Sequence, residues 1–100
     1  MNEKVLKLLQ KYNNELFKLG ILPKRSEDYC GQPGLKSLHD EHAQLYHLKW
    51  MIDKMLDEAE DWSDRKVCRW LGFIQGILWC TKFRGILELR DESRDLYDGE

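Results

Sequence analysis

Residues 69–83 read "RWLGFIQGILWCTKF", and apolar residues fall on almost every side of the helix this run would form. In helical phase, Val67, Trp70, Leu71, Ile74, Ile77 and Leu78 share one face at a/d-like spacing, so this face is expected to pack on a neighbouring helix. Phe73, Gly76, Trp79, Cys80 and Phe83 lie on other sides, where a two-helix hairpin has nothing left to cover them. Gly72 and Gly76 share a face one turn apart, where the lack of side chains lets another backbone approach closely. A glycine inside a helix costs ~1 kcal/mol relative to Ala, which makes two of them on one face a poor accident. Two coverings are open: the first helix and a long loop could fold over this surface within one protomer, or the chain could associate with itself. Exposed Trp and Phe in one patch usually mark an interface, so Gly72, Phe73, Gly76, Trp79 and Phe83 are the expected homo-oligomer contact.

Working outward, apolar residues recur at helical spacing throughout, and no convincing alternating strand occurs. Val5, Leu8, Leu9, Tyr12, Leu16 and Leu19 mark a first helix that Gly20 should end in the left-handed conformation. From 22 to 37 the composition shifts to "LPKRSEDYCGQPGLKS", with both prolines and two glycines, which is loop chemistry. A loop of that length is uncommon in a compact domain and more often functional than a mere spacer. Ser37 with Asp40 resembles a capping box and opens a second helix carrying Leu38, Leu45, Leu48, Met51, Ile52, Met55, Leu56 and Ala59 inward. After the short turn "DWSD", Ser63 can cap a third helix with Asp64 in its first turn. So short a link requires the two long helices to pack antiparallel. The third helix is expected to reach about Phe83, and "RGILELRDESRDLY" is either its continuation or a short fourth helix. The expected architecture is all-α in a single domain over 1–100: a first helix within 1–20, a loop at 21–37, a helical hairpin and extension at 38–96, and a tail at 97–100 expected to fray.

Composition bounds the function. One hundred residues suit one domain, and 42% hydrophobic with 34% charged residues is the balance of a folded chain rather than a disordered one. A formal charge of −2 argues against a nucleic-acid polymer as partner, since such binding rests on clustered Lys and Arg, whereas a small anion needs only a local basic cluster. The amino terminus "MNEKVLKLLQ" lacks a continuous apolar core of a signal peptide, and Arg69 and Lys82 bracket the most apolar segment, so neither secretion nor a membrane span is expected. Cys30, Cys68 and Cys80 are odd in number and at no metal-ligand spacing, which suits reduced thiols in the cytosol; Cys68 and Cys80 are expected in the core.

The chemistry-bearing residues point to binding rather than catalysis. His39 and His42 share a face, His47 falls off it, and no third ligand is nominated, so no metal is expected. Glu58 with Asp61 and Glu88 with Asp91 form two E-x-x-D pairs similar to the magnesium-binding carboxylates of the all-α nucleotide pyrophosphatases related to MazG, but Glu58 and Asp61 fall at a helix end. No phosphate-binding glycine loop and no nucleophile with its base can be identified, so no catalytic residue and no cofactor is expected. The loop offers Lys24, Arg25, Tyr29 and Lys36 within about a dozen residues, and Arg65 and Arg69 add charge at the start of the third helix. Arg binds phosphate bidentately and Tyr stacks on a base, so these six are the candidate site for a nucleotide-sized anion.

The pair "HLKWM" (47–51) and "RWLGFIQGILW" (69–79), on two helices joined by a charged turn, resembles small bacteriophage proteins over roughly half the chain. The wider pattern, a short first helix before a hairpin with a Trp-bearing second arm, is similar to the hairpin domain of phage sponge proteins, although that domain's Arg-Glu and Leu-Glu-Glu-Ala motifs are absent from "SDRKVCRWLGFIQGILW". Those sponges defeat CBASS and Thoeris immunity by sequestering cyclic nucleotides and related signals in oligomeric helical assemblies. The resemblance implies a phage-encoded host-defence antagonist in the host cytoplasm that binds without catalysis, with itself and a small nucleotide as partners. An inhibitor that binds a host or defence protein through the Trp-rich patch or the acidic carboxyl end is the alternative, and a nucleotide pyrophosphatase a second one.

Overall fold

A computed structural model of the chain describes residues 1–25, 41–94 and 96, which form four α-helices and no strand. The expectations for Tyr29, Cys30, Lys36, Ser37, Leu38, His39 and Asp40 lie outside the described residues, as does the side chain of His42.

Helix α1 spans Glu3–Lys18, and the side chain of Asn2 caps it by accepting a 2.7 Å bond from the Lys4 amide. Val5, Leu8, Leu9, Tyr12 and Leu16 point inward and are buried. The helix ends at Gly20, whose φ of 78° is the left-handed conformation that only glycine enters freely. There the Ile21 amide reaches back to the Leu16 carbonyl at 3.0 Å and the Gly20 amide to Phe17 at 2.9 Å, the paired bonds of a Schellman turn. Leu19 sits at the cap, 58% exposed, and Ile21 takes the next inward position.

Helix α2 spans Glu41–Glu58 and continues into a single 3-10 turn at Ala59–Asp61; Leu45, Leu48, Met51, Ile52, Met55 and Ala59 are buried along it. Ser63 then caps helix α3, Asp64–Cys80, by accepting from the Lys66 amide at 3.2 Å, and Val67, Leu71, Ile74 and Leu78 form its buried face. The two helices run antiparallel, because Trp50 meets Trp70 while His47, three residues earlier, meets Phe73, three residues later. Each fully buried aliphatic side chain in this seam contributes about 1.5–3 kcal/mol by leaving water.

Helix α3 stops at Cys80, short of Phe83. A second Schellman turn ends it, with Lys82 at φ 66° and the Phe83 amide on the Leu78 carbonyl at 2.9 Å. The reversal swings Phe83 back against the core. A separate helix α4 follows at Ile86–Ser93, opened by the Glu88 carboxylate accepting from the Gly85 amide at 3.1 Å. Cys68 and Cys80 are both exposed, contrary to the expectation of core thiols. Cys68 is one residue, about 100° of helix, past the buried Val67, and that step carries it off the inner face.

A polar junction joins α1, α3 and α4. Glu92 accepts from Lys11 Nζ at 2.9 Å, from the Tyr12 hydroxyl at 2.9 Å and from Arg84 Nε at 3.2 Å, and Arg84 also pairs with Glu15. Gln75 donates to the Tyr12 hydroxyl at 3.3 Å and to Ser93 Oγ at 2.8 Å. Burial pushes the Glu92 carboxyl upward, but the bonds from Lys11 and Tyr12 and the charges of Arg84 and Lys11 outweigh it and hold Glu92 below its ordinary value. Burial and the neighbouring Glu92 together raise the Tyr12 phenol, so it stays neutral and donates. Among the described residues no helix is long and apolar enough to cross a membrane.

Candidate functional site

Side chains on one flank of α2 and one flank of α3 meet in an aromatic strip. On α2 they are His47, Trp50 and Lys54; on α3 they are Lys66, Trp70 and Phe73, with Trp62 just before the helix begins. His47 stacks on Trp50 with centroids 5.5 Å apart and meets the edge of Phe73 at 6.4 Å. Trp50 lies 6.3 Å from Trp70, and Trp70 lies 4.7 Å from Trp62. The antiparallel pairing explains the contacts: 47 + 73 and 50 + 70 both equal 120, so the flanking residues of the two helices come level in turn. Trp50, Trp62 and Trp70 are half-buried and Phe73 is 54% exposed, so the strip backs onto the core and opens to water.

Among the described residues, three cations stand over the strip. Arg25 stands 5.3 Å from the Trp50 centroid and Lys54 Nζ 5.2 Å from it, while Lys66 Nζ lies 4.0 Å from the Trp62 centroid. Arg25 arrives there because the Lys24 amide donates to the Tyr46 carbonyl at 3.1 Å, which ties the segment after α1 to α2. Each cation over an indole is worth about 0.5–1 kcal/mol where water has access. Burial, followed by the positive charge of Arg25, lowers the pKa of His47 from its ordinary value. The lowered value favours the neutral imidazole at pH 7, which then presents one more flat ring.

Planar rings beside cations can do two things chemically: stack on a flat heteroaromatic base and pair with phosphate oxygens. Of the six residues expected to bind an anion, the structure brings Arg25 onto the strip, while Lys24 meets α2 through its backbone amide. Tyr29 and Lys36 lie outside the described residues. Arg65 and Arg69 are exposed on the outward face of α3 next to Gly72 and Gly76, about 100° around the helix from Lys66 and Trp70. The sequence reading missed His47, Trp50, Lys54, Trp62, Lys66 and Trp70 as a group. Their signal is the recurrence of aromatic and basic residues at i, i+3, i+7 on α2 (47, 50, 54) and i, i+4, i+7 on α3 (66, 70, 73), which traces one flank of each helix.

The face expected to self-associate is open. A Cβ placed on Gly72 or Gly76 would meet, beyond the helix's own backbone, no atom of the described residues within 4 Å, and Phe73 and Trp79 beside them are 54% and 53% exposed. Neither α1 nor any other described element covers it. Phe83 does not belong to this face, because the turn after α3 packs it inward.

Three of the four E-x-x-D carboxylates have local partners. Glu58 pairs with Lys54 at 3.6 Å, Glu88 caps α4, and Asp91 pairs with Arg94 at 3.1 Å. Among the described residues no three His, Cys, Asp or Glu side chains are grouped so as to hold a metal ion. Compared with known proteins, the chain matches no family model, no curated protein and no solved structure.

Proposed function

We propose that the protein is a non-catalytic sponge that sequesters a small nucleotide signal, as a phage-encoded antagonist of host defence acting in the host cytoplasm. The observation that carries this reading is the strip itself: Arg25 and Lys54 both stand over Trp50, which in turn joins His47 and Trp70. Stacking on such rings is worth about 1–3 kcal/mol per base, and charge-assisted bonds to phosphate about 1.5–3 kcal/mol each. One nucleotide of two bases and two phosphates would gather several such contributions without any reacting group, against which the cost of association is set. The charge of −2 supports a small anion over a polymer, since a long phosphate backbone would meet net repulsion away from the strip. The protein acts as a homo-oligomer through the outward side of α3.

A second reading, an inhibitor of a host or defence protein, is favoured by the exposure of Phe73 and Trp79, an aromatic pair of the kind that anchors protein interfaces. Calorimetric titration with cyclic dinucleotides, cyclic trinucleotides and cyclic ADP-ribose-type signals, followed by heating and analysis of the supernatant, separates the readings. A sponge gives heat and returns the nucleotide intact. An enzyme returns product, and a protein-binding inhibitor gives no heat with any of them, which ends the sponge reading.

A further inference from the structure

We infer that two copies of this chain pair α3 against α3 in antiparallel, two-fold fashion, with Gly72 against the partner's Gly76 and Arg69 against the partner's Trp79. The inference rests on the proposed self-association and specifies its geometry.

Residues 65, 69, 72, 76 and 79 follow one another at spacings of four and three along the outward face of α3, a stripe opposite Val67, Leu71, Ile74 and Leu78. The stripe is self-complementary in only one direction. In an isologous antiparallel pair, residues whose numbers share one sum come level, and 72 + 76 and 69 + 79 both equal 148. A single two-fold axis level with residue 74 therefore satisfies both pairs at once. At its centre the absent side chains of Gly72 and Gly76, where a Cβ would meet none of the other described parts of the chain within 4 Å, let the backbones come closer than the usual 8–10 Å between helix axes. One layer out on each side, the exposed Arg69 guanidinium meets Trp79, 53% exposed in the single chain, as a cation on an indole face.

Charge selects this direction over the other. A parallel pair would set Arg65 against the partner's Arg65 and Arg69 against the partner's Arg69, and would align the two helix dipoles. The antiparallel pair moves the like charges to opposite ends and opposes the dipoles. A second copy is thus the occupant whose surface answers this face.

The exposed cysteines report the geometry, because 68 + 80 is also 148 and places Cys68 level with the partner's Cys80. Within one copy they are twelve residues apart, ~18 Å along the helix. In the Cys30→Ser variant, a bismaleimide too short for that separation, applied to mixed light and isotopically heavy protein, should give Cys68–Cys80 peptides joined between copies. Cross-links of Cys68 to Cys68 and Cys80 to Cys80 overturn the inference in favour of a parallel pair. A protein that sediments as a dimer without any such cross-link overturns it in favour of another face. A monomer at micromolar concentration removes the proposed self-association itself, and the two failures are told apart by mass alone. Gly76→Leu, whose new side chain enters open space in the single chain, should weaken the dimer at least tenfold with helicity unchanged.

Discussion

The guanidinium of Arg25 lies 5.3 Å from the centre of the Trp50 ring, so a residue just past the first helix stands over the middle of the second. The contact needs the Lys24–Tyr46 backbone bond to bring the segment across, and it converts a half-buried tryptophan into part of a charged surface. If that surface holds a nucleotide, Arg25→Ala should weaken binding by about 1.5–3 kcal/mol, roughly ten- to a hundredfold, by calorimetry. The melting temperature should barely move, because Arg25 is exposed. Trp50→Ala should remove about 1–3 kcal/mol of stacking and also lower the melting temperature, since that ring packs against the core.

His47 should titrate below its ordinary 6.5, the direction set first by burial and then by Arg25. A histidine whose folded value is lowered contributes stability that is fully present above 6.5 and is lost as the pH falls from there through the folded value. Proton NMR of the imidazole should give a midpoint under 6.5, and Arg25→Ala should move it upward by removing the like charge. A midpoint at or above 6.5 in the parent protein contradicts the stacked, neutral ring.

Glu92 has the opposite chemistry and the same acid sensitivity. Its lowered value means that its contribution is present above the ordinary 4.5 and disappears as the pH falls through the folded value. Glu92→Gln should destabilise the protein at pH 7 by about 1.5–3 kcal/mol, the worth of hydrogen bonds to a charged group, with its side chain only 14% exposed. Urea unfolding at neutral pH and at pH well below 4.5 should show the gap between variant and parent closing in acid.

The inner and outer faces of α3 should respond in opposite ways to substitution by alanine. Ile74 is fully buried, so Ile74→Ala should cost about 2–5 kcal/mol through lost burial and the cavity left behind. Gly72→Ala adds a methyl group to open space and should leave the chain unchanged or raise its stability by up to ~1 kcal/mol through helix propensity. Thermal melts of both variants check the pair; a destabilised Gly72→Ala would mean that the outward face is already occupied at the concentration used.

Much of the fold was legible in the residues because its determinants are local. The left-handed end at Gly20, the Ser63 cap and the inward stripe of Val67, Leu71, Ile74 and Leu78 each depend on residues within one or two helical turns. The end of α3 at Cys80 is not legible locally, because Lys82 adopts φ 66°, a conformation that lysine does not advertise and that accompanies the inward packing of Phe83. The exposure of the cysteines depends on helical phase: Cys68 is apolar enough for a core, but the phase set by Val67 turns it outward.

The sequence by itself determined which residues could become helix, where α1 stops and α3 starts, and that α3 would carry more apolar surface than a hairpin can cover. These follow from backbone conformation and a 3.6-residue period, which act over a few residues. Only the tertiary structure decided that His47, Trp50, Trp62 and Trp70 join one strip under Arg25, Lys54 and Lys66, and that Glu92 collects Lys11, Tyr12 and Arg84. Those groupings depend on how far one helix slides along another. That offset is set by the packing of buried side chains distant in the chain, and no local pattern encodes it.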